Sequence, residues 1–260
     1  MKAELDGKPV SADQALALGL VPYGHFTSIR VDDRRAKGIG LHLERLKRDA
    51  SEVFGTELDT DRVRELARRA VADTSGPLVI RITVFDPTAE LGHPEAATDP
   101  HVLITGRAAS ATPPPPMRVE LATYERELPQ VKHISLFGTL RIRRAAHVRG
   151  FDDALFMDSQ GVVTEGATWN VGFIRGESVV WPDGPVLPGV TAELVNGAYH
   201  ATSSAQVRAE DLNGFDAAFA TNTTVGVRPI TEISGFSFDG GHPTLKALQD
   251  AYATVESEEF

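Results

Sequence analysis

The chain has 260 residues, of which 42% are hydrophobic, enough to bury the core of one large domain or of two modest ones. The net charge of -10 and the isoelectric point near 5.3 argue against nucleic acid or an anionic membrane as the main partner, because both are bound through clustered Lys and Arg. The absence of cysteine excludes disulfides, thiolate metal sites and a cysteine nucleophile, and we expect no metal site.

The amino terminus, Met1-Lys2-Ala3-Glu4, lacks an apolar signal segment. No apolar run along the chain approaches the roughly 18 residues that are needed to cross a bilayer. We therefore expect a cytoplasmic protein without a membrane partner.

Consecutive prolines at 113–116 mark the clearest boundary in the chain. Such a run favours an extended segment and cannot join a helix or a central strand. We predict a smaller N-terminal domain over 1–108, a Pro-rich linker over 109–118 and a larger C-terminal domain over 119–260. A site formed between two domains would lie where cofactor pockets often occur.

The spacing of apolar residues predicts the main elements of both domains. In the first domain these are strands over 26–31, 78–85 and 101–105, with helices over 41–54 and 59–71. In the second domain they are strands over 118–122, 153–157, 171–175, 178–181 and 217–221, with helices over 136–149, 191–203 and 242–255. Strands and helices thus occur in both domains.

Three groups of residues indicate a chemistry. The primary amine of Lys132, just before a predicted helix, is able to form a Schiff base with an aldehyde. Glu165, followed by Gly166, offers a carboxylate for a pyridinium proton. Val190 and Thr191 open a predicted helix, with Thr191 as its N-cap, and the free N–H groups of a helix start bind phosphate. Together they predict a pyridoxal phosphate site.

Each of these residues also has a structural interpretation. A lysine is usually a surface residue, a glutamate at a strand end is usually exposed, and a threonine near a helix start often does no more than cap it. The functional interpretation therefore depends on finding the groups together in one chain.

Five motifs follow one another along the chain. They are His42-x-x-Arg45-Leu46, Lys132, Glu165-Gly166 with Asn170, Leu187-Pro188-Gly189-Val190-Thr191 and Thr221-Asn222-Thr223-Thr224. In this order and spacing they resemble the fold type IV family of pyridoxal phosphate enzymes, from the amino-terminal strand region to about Pro229. That family includes D-amino acid, branched-chain and (R)-amine aminotransferases and 4-amino-4-deoxychorismate lyase.

The resemblance implies an α+β fold, with a smaller N-terminal α/β domain and a larger C-terminal domain of mixed, pseudo-barrel sheet and helices. Fold type IV active sites take residues from two subunits, so it also implies a homodimer. The cofactor would be bound by Arg45, Lys132, Glu165, Asn170, Val190, Thr191, Asn222 and Thr223. In these roles Lys132 is the catalytic Schiff-base lysine and Glu165 faces the pyridine nitrogen. A nearby cation would keep a partly buried Glu165 ionised, and Arg126 is the candidate, although an arginine on a loop is as often solvated.

The substrate is harder to infer because this chain departs from the family's usual residues. Phe137 stands where branched-chain aminotransferases have a tyrosine, and 79–83 lacks their Tyr-x-Arg-Pro stretch, so the branched-chain interpretation loses ground. The Arg-x-His pair of D-amino acid aminotransferases is also missing. The candidates that remain for binding the substrate are His25, Phe26, Arg30 and Arg81.

Three functions remain open. The first is an aminotransferase that moves an amino group from a small amino acid or amine to a 2-oxo acid, with Lys132 shuttling the proton. The second is a lyase of the deoxychorismate type that releases pyruvate, which the pairs Phe26-Thr27 and Lys132-His133 favour. The third is a non-catalytic cofactor-binding relative, against which the retained Lys132 and Glu165 argue.

Overall fold

The computed structural model describes residues 3–260, so Met1 and Lys2 of the amino-terminal segment lie outside the described residues. The chain forms two compact units. The first comprises the residues up to Ala111 together with Val131–Ser135 and Glu256–Phe260, and the second comprises Thr112–Gln130 and Leu136–Val255. The predicted domains were uninterrupted, whereas the units are interleaved, and Lys132 belongs to the first unit.

The first unit contains the strands β1 Glu4–Leu5, β2 Lys8–Pro9, β3 Gly24–Val31, β4 Arg35–Lys37, β5 Leu78–Phe85 and β6 His101–Ala108. Five of them form an antiparallel sheet in the order β2-β1-β6-β5-β3, and β4 lies outside this sheet. The helices of this unit are α1 Ala12–Leu20, α2 Ile39–Phe54 and α3 Thr60–Val71, with a 3₁₀ turn at Pro94–Ala96.

Alternation along β3 divides its side chains between the two faces of the sheet. Ile29 and Val31 enter a buried core with Leu46 of α2 and Val63 of α3. The predicted helix over 41–54 is confirmed, and it ends where Gly55 adopts a left-handed conformation with φ 64°. α1 was not predicted, although Ser11 and Gln14 form a capping box at its start.

The second unit contains the remaining helices and all the remaining strands except the last one. Its strands are β7 Met117–Thr123, β8 Asp153–Met157, β9 Val163–Gly166, β10 Asn170–Arg175, β11 Ser178–Pro182, β12 Thr202–Ala205, β13 Ala217–Asn222, β14 Gly226–Ile233 and β15 Phe236–Ser237. Its helices are α4 Phe137–Val148, α5 Val190–Ala198 and α6 Pro243–Thr254, with a 3₁₀ turn at Ala209–Gly214. The last strand of the chain, β16 Ser257–Glu259, belongs to the first unit and pairs there with β4.

Six strands of the second unit close into a barrel-like ring. They follow the order β10-β13-β14-β7-β8-β9, and Asn170 of β10 pairs with Glu165 of β9 to complete the circuit. β11 and β12 extend the sheet outward from β10. Met117, Leu155 and Phe173 are buried in the core of this unit. The predicted α+β fold with a pseudo-barrel sheet is confirmed.

One predicted helix differs from the structure, and one long strand was not predicted. The predicted helix over 191–203 is wrong beyond Ala198, because Thr202–Ala205 pairs in parallel with β11 instead. β14 was not predicted, since Pro229 lacks an N–H and argues against a central strand. Within residues 3–260, no helix is long and apolar enough to span a membrane.

Candidate active site

The backbone of Lys132 is held on both sides within the first unit. Its N–H donates to Asp49 Oδ2 at 3.0 Å, and its carbonyl accepts from the N–H of Phe26 at 2.9 Å. Two residues later, the N–H of Ile134 donates to the carbonyl of Gly24 at 3.0 Å. The lysine segment therefore runs along the start of β3, and its backbone is fixed while the side chain extends from it.

The ring of Phe26 brings two cations together. Lys132 Nζ lies 5.0 Å from the centroid of this ring, and the guanidinium carbon of Arg81 lies 3.7 Å from it. Arg81 Nε also donates to Thr83 Oγ1 at 3.2 Å, while burial lowers the pKa of the guanidinium. Among the described residues, no carboxylate forms an ion pair with Arg81. A desolvated cation next to the lysine is suited to an anionic group of a ligand.

Arg45 and His42 lie on the same face of α2 and share one hydroxyl of β3. Arg45 donates from Nη2 to Thr27 Oγ1 at 2.6 Å, and the same oxygen lies 2.7 Å from His42 Nδ1. Burial, and then the charges of Arg45 and Lys132, hold the pKa of His42 well below its usual value. The imidazole is thus neutral, and the Thr27 hydroxyl accepts from Arg45 while it is also hydrogen-bonded to Nδ1 of His42. This arrangement fixes the arginine side chain.

The other two candidates for substrate binding have different surroundings. His25 is fully buried, packs against the ring of Phe54, and has no hydrogen-bond partner on either ring nitrogen within the described part of the chain. Burial, followed by the charges of Arg45 and Arg48, lowers its pKa to about 3. Arg30 is paired with Asp32 at 2.8 Å, so its charge is already compensated.

In the second unit, Glu165 and Arg126 form a buried ion pair. Arg126 Nη1 lies 2.8 Å from Glu165 Oε1, and the two side chains are 8% and 6% exposed. The other carboxylate oxygen of Glu165 accepts from the N–H of Leu187 at 3.2 Å. The charge of the carboxylate is therefore compensated inside the protein, as a buried charge requires. Glu165 lies on β9, at the point where that strand meets β10.

The loop before α5 is held by two polar side chains. Asn170 Nδ2 donates to the carbonyl of Leu187 at 2.8 Å, next to the contact that Glu165 makes with the N–H of the same residue. Gly189 approaches Asn170 so closely that a Cβ at position 189 would lie 1.9 Å from Asn170 Oδ1. The loop therefore needs glycine at 189, and its path is set by the Glu165 motif.

The predicted N-cap of α5 is wrong. Gly189 is the N-cap, with φ -78° and ψ 126°, and Thr191 lies in the first turn of the helix. The cap residue therefore has no side chain to bond the first N–H groups. Val190 and Thr191 are both buried at this helix start. Their N–H groups point along the axis toward the N-terminal end, where the helix dipole favours an anion.

The turn after β13 is organised by Asn222. Its Oδ1 accepts from the N–H groups of Thr224 at 2.9 Å and Val225 at 3.1 Å, and its Nδ2 donates to the carbonyl of Thr168. The side chain of Asn222 thus shapes the turn that presents Thr223. One residue earlier, Thr221 Oγ1 is buried without a hydrogen-bond partner among the described residues.

A model of the class IV amino-transferase family matches residues 24–233, most of the chain. The chain belongs to the class IV aminotransferase family. The resemblance to fold type IV pyridoxal phosphate enzymes is thereby confirmed, and the matched range contains every site residue discussed above.

Curated relatives are similar over part of their length. A probable branched-chain-amino-acid aminotransferase of Synechocystis sp. is 27% identical over 112 residues, which cover 41% of this chain and 37% of that protein. A branched-chain-amino-acid aminotransferase of Pseudomonas aeruginosa is 30% identical over 115 residues, 42% of this chain and 38% of that protein. The alignments thus span less than half of these relatives.

Solved structures show the same fold along nearly the whole chain. The branched-chain aminotransferase of Thermoproteus uzoniensis with norvaline has a TM-score of 0.87 at 21% identity, covering 98% of this chain and 94% of that one. A hypothetical aminotransferase of Mycobacterium tuberculosis in its PLP-bound form has a TM-score of 0.83 at 17% identity, covering 98% of both chains. This class IV family member therefore shares their fold.

Sequence reasoning missed Asp49 and the role of Leu187 in this member of the class IV family. Asp49 lies four residues after Arg45 on α2, a spacing that places both on one face of a helix. That spacing was a usable signal for Asp49. Leu187 contributes only its backbone to Glu165 and Asn170, and nothing in a side-chain pattern indicates such a contact.

Proposed function

We propose that the chain is a pyridoxal phosphate-dependent aminotransferase that moves an amino group between a small amino acid or amine and a 2-oxo acid. The observation that carries this proposal is the buried ion pair of Glu165 and Arg126, in a chain whose residues 24–233 match the class IV aminotransferase family. A carboxylate maintained inside the protein is the group that a pyridinium nitrogen requires.

The residues present fit this cofactor. The start of α5 offers N–H groups that no cap side chain covers, and Gly189 leaves room for the loop to pass Asn170. Thr221 Oγ1 is a buried hydroxyl without a partner among the described residues, in the same stretch as Thr223. Amide and hydroxyl donors of this kind bind a phosphate dianion. We assign Val190, Thr191, Asn222, Thr223 and the cation of Arg45 to the phosphate.

When bound, the cofactor supplies an aldehyde for a covalent link and an electron sink for the carbanion formed at the substrate carbon. Lys132 is the residue that we propose for the covalent link, and its Nζ is the base that accepts the proton of the substrate carbon. Glu165 holds the proton of the ring nitrogen, and Arg126 compensates the charge of Glu165. Asn170 supports the site by holding the loop at Leu187.

For the substrate, we propose that Arg81 binds a carboxylate and that Phe26 forms the apolar side of the same site. The support is that Arg81 is desolvated, lies 3.7 Å over the Phe26 ring and has no acidic partner among the described residues. Arg30 is less suited, because Asp32 already compensates its charge. His25 is buried and neutral, so it contributes shape rather than charge.

The lyase alternative is not favoured, because the curated relatives carry aminotransferase names and the matching family is that of class IV aminotransferases. Those names also make branched-chain amino acids the first donors to assay, despite Phe137 and the altered stretch at 79–83. These names are those of the relatives, and an assay decides which donor this chain uses.

We also propose a homodimer. Its support in this chain is that α4 carries three exposed apolar side chains, where Phe137 is 81% exposed, Leu140 53% and Val148 73%. Larger patches of exposed apolar surface often mark an interface. Sedimentation at micromolar concentration tests this, and a fully active monomer contradicts it.

A cytoplasmic location stays a prediction of the sequence, which cell fractionation checks.

The test of the function is a half-reaction. The protein saturated with cofactor is mixed with D- and L-amino acids, (R)-amines or aminodeoxychorismate, and the visible spectrum and pyruvate are followed. An aminotransferase converts its cofactor stoichiometrically to the amine form with a donor alone and turns over only after a 2-oxo acid is added. Multiple-turnover release of pyruvate without an oxo acid would instead establish the lyase, and no change with any donor would establish a binding protein.

A further inference from the structure

Asp49 is a fully buried acid that the proposed chemistry leaves without a role. It lies on α2, and its two carboxylate oxygens have different partners. Oδ1 accepts from Arg48 Nη2 at 2.6 Å and from Arg48 Nε at 3.1 Å, and Oδ2 accepts from the backbone N–H of Lys132 at 3.0 Å. The arginine compensates the charge, which leaves the second oxygen for the amide of the lysine.

Asp49 holds the backbone amide of Lys132, the residue that we propose for the covalent link to the cofactor. The carbonyl of Lys132 is fixed by the N–H of Phe26, so Asp49 supplies the restraint on the other side of the same residue. A hydrogen bond to an ionised acceptor is roughly twice as strong as a neutral one. Asp49 therefore ties the segment at Lys132 to α2, in addition to the hydrogen bonds that tie it to β3.

α2 also carries Arg45, four residues before Asp49 and on the same face. Arg45 is held in turn by Thr27 of β3. One rigid helix therefore sets both the arginine assigned to the phosphate and the backbone of the lysine. A cofactor has a fixed distance between its phosphate and its aldehyde, so fixing these two residues on one element preserves their spacing.

We propose that Asp49 is a positioning residue that holds the backbone of Lys132 in register with Arg45, an inference that rests on the proposed function. Asp49 does not touch the reacting atoms. Removing the carboxylate of Asp49 leaves the amine of Lys132 unchanged but allows the backbone of Lys132 to shift. A displacement of about 1 Å at a reacting group is able to cost about 10²-fold in rate.

The experiment compares the wild type with Asp49→Ala and Asp49→Asn, each saturated with pyridoxal phosphate. Borohydride is added, and the fraction of the Lys132 peptide that carries reduced cofactor is measured by mass with time. We expect Asp49→Ala to form the adduct more slowly and to lose about 10- to 100-fold in kcat with little change in KM. Asp49→Asn keeps a carbonyl oxygen for the amide of Lys132 and should recover most of both.

Amide exchange provides a readout that does not depend on activity. In the wild type we expect the amide of Lys132 to be protected, and in Asp49→Ala to exchange faster. Val63→Ala is the control, because Val63 is buried in the same core on α3 and its truncation lowers stability without touching the lysine segment. Its trapping rate and its exchange at Lys132 should match the wild type.

The outcomes separate the two proposals. A wild type that forms no trapped adduct on Lys132 overturns the proposed function, and the role of Asp49 falls with it. An adduct formed by Asp49→Ala at the rate and yield of the wild type overturns the role of Asp49 alone. Equal losses in folded Asp49→Asn and Asp49→Ala also overturn it. Rapid exchange of the Lys132 amide in the wild type overturns it too, and this outcome is read even if Asp49→Ala fails to fold.

Discussion

Arg126 Nη1 lies 2.8 Å from Glu165 Oε1, and both side chains are almost completely withdrawn from solvent. Two opposite charges in such a position depend on each other, because a single buried charge is costly. Both oxygens of Glu165 are bonded, one to Arg126 and one to the N–H of Leu187. The pair therefore stabilises the loop before α5 as well as the carboxylate itself.

The buried ion pair gives a prediction about stability. Arg126→Met should lower the free energy of unfolding by about 3–5 kcal/mol, because it leaves Glu165 uncompensated. Arg126→Met combined with Glu165→Gln should recover part of this loss. The control is Arg118→Met, which breaks the exposed pair with Glu232 and should have little effect on stability, because solvent screens an exposed ion pair. Urea denaturation compares these three variants with the wild type, and equal effects of Arg126→Met and Arg118→Met would show that burial is unimportant here.

The pKa of His25, lowered to about 3 by burial and then by Arg45 and Arg48, predicts a dependence of stability on pH. In the unfolded chain the imidazole of His25 takes up a proton near its ordinary pKa of about 6.5, while in the folded protein it stays neutral. The free energy of unfolding is therefore unaffected by His25 above that pH and falls as the pH drops below it. At pH 5 the loss from His25 is about 2 kcal/mol relative to pH 7.5.

The variant that tests this is His25→Leu, which should flatten the pH dependence of the urea midpoint between pH 7.5 and 5. Some dependence remains, since the pKa of His42 is lowered in the same direction. His93→Gln is the control, because His93 is largely exposed. An unchanged pH profile in His25→Leu would contradict the lowered pKa.

Gly189 predicts an effect on cofactor affinity. In Gly189→Ala the new Cβ would lie 1.9 Å from Asn170 Oδ1, so Asn170 must move and the loop before α5 must shift. Losing well-placed donors to a charged phosphate costs roughly 1.5–3 kcal/mol, or about a tenfold to hundredfold weaker Kd. Gly197→Ala on α5 is the matched control, as its Cβ meets nothing within 4 Å. Equal Kd values for the two variants in cofactor titrations would argue against a phosphate at this loop.

Arg81 predicts how the substrate is selected. Arg81→Met should lower kcat/KM for donors with a carboxylate by roughly tenfold to hundredfold, which corresponds to one charge-assisted hydrogen bond. (R)-Amines without a carboxylate should be much less affected. Arg30→Met serves as the comparison, because Asp32 occupies that guanidinium. If amines and amino acids lose activity equally in Arg81→Met, the residue supports the fold rather than the carboxylate.

Arg45 and Thr27 give a prediction about the phosphate. Arg45→Ala should weaken cofactor affinity more than Thr223→Val, because it removes a charge as well as hydrogen bonds. Thr27→Val should also weaken it, since Thr27 Oγ1 holds Arg45 at 2.6 Å, whereas Thr27→Ser keeps that oxygen and should bind normally. Fluorescence titration of the cofactor measures each Kd. Normal affinity in Arg45→Ala would return that residue to a purely structural role.

Most long elements could be predicted because their apolar residues repeat at a regular spacing. β5 and β8 have the predicted bounds, 78–85 and 153–157. β14 escaped prediction because Pro229 interrupts its pattern, and its pairing with β13 and β7 comes from the surrounding sheet. The end of α5 escaped for a similar reason, since 202–205 is short and polar and becomes a strand through pairing with β11.

The sequence by itself determined which reactive groups the chain has and in which order, because Lys132, Glu165 and the residues around Gly189 are recognised by type and spacing. The tertiary structure alone decided which atoms these groups contact. Asp49 and Lys132 are 83 positions apart, and Arg126 and Glu165 are 39 apart, yet both pairs are hydrogen-bonded. No local periodicity encodes such contacts, because they form only when α2 packs on β3 and when the six-stranded ring closes at Glu165 and Asn170.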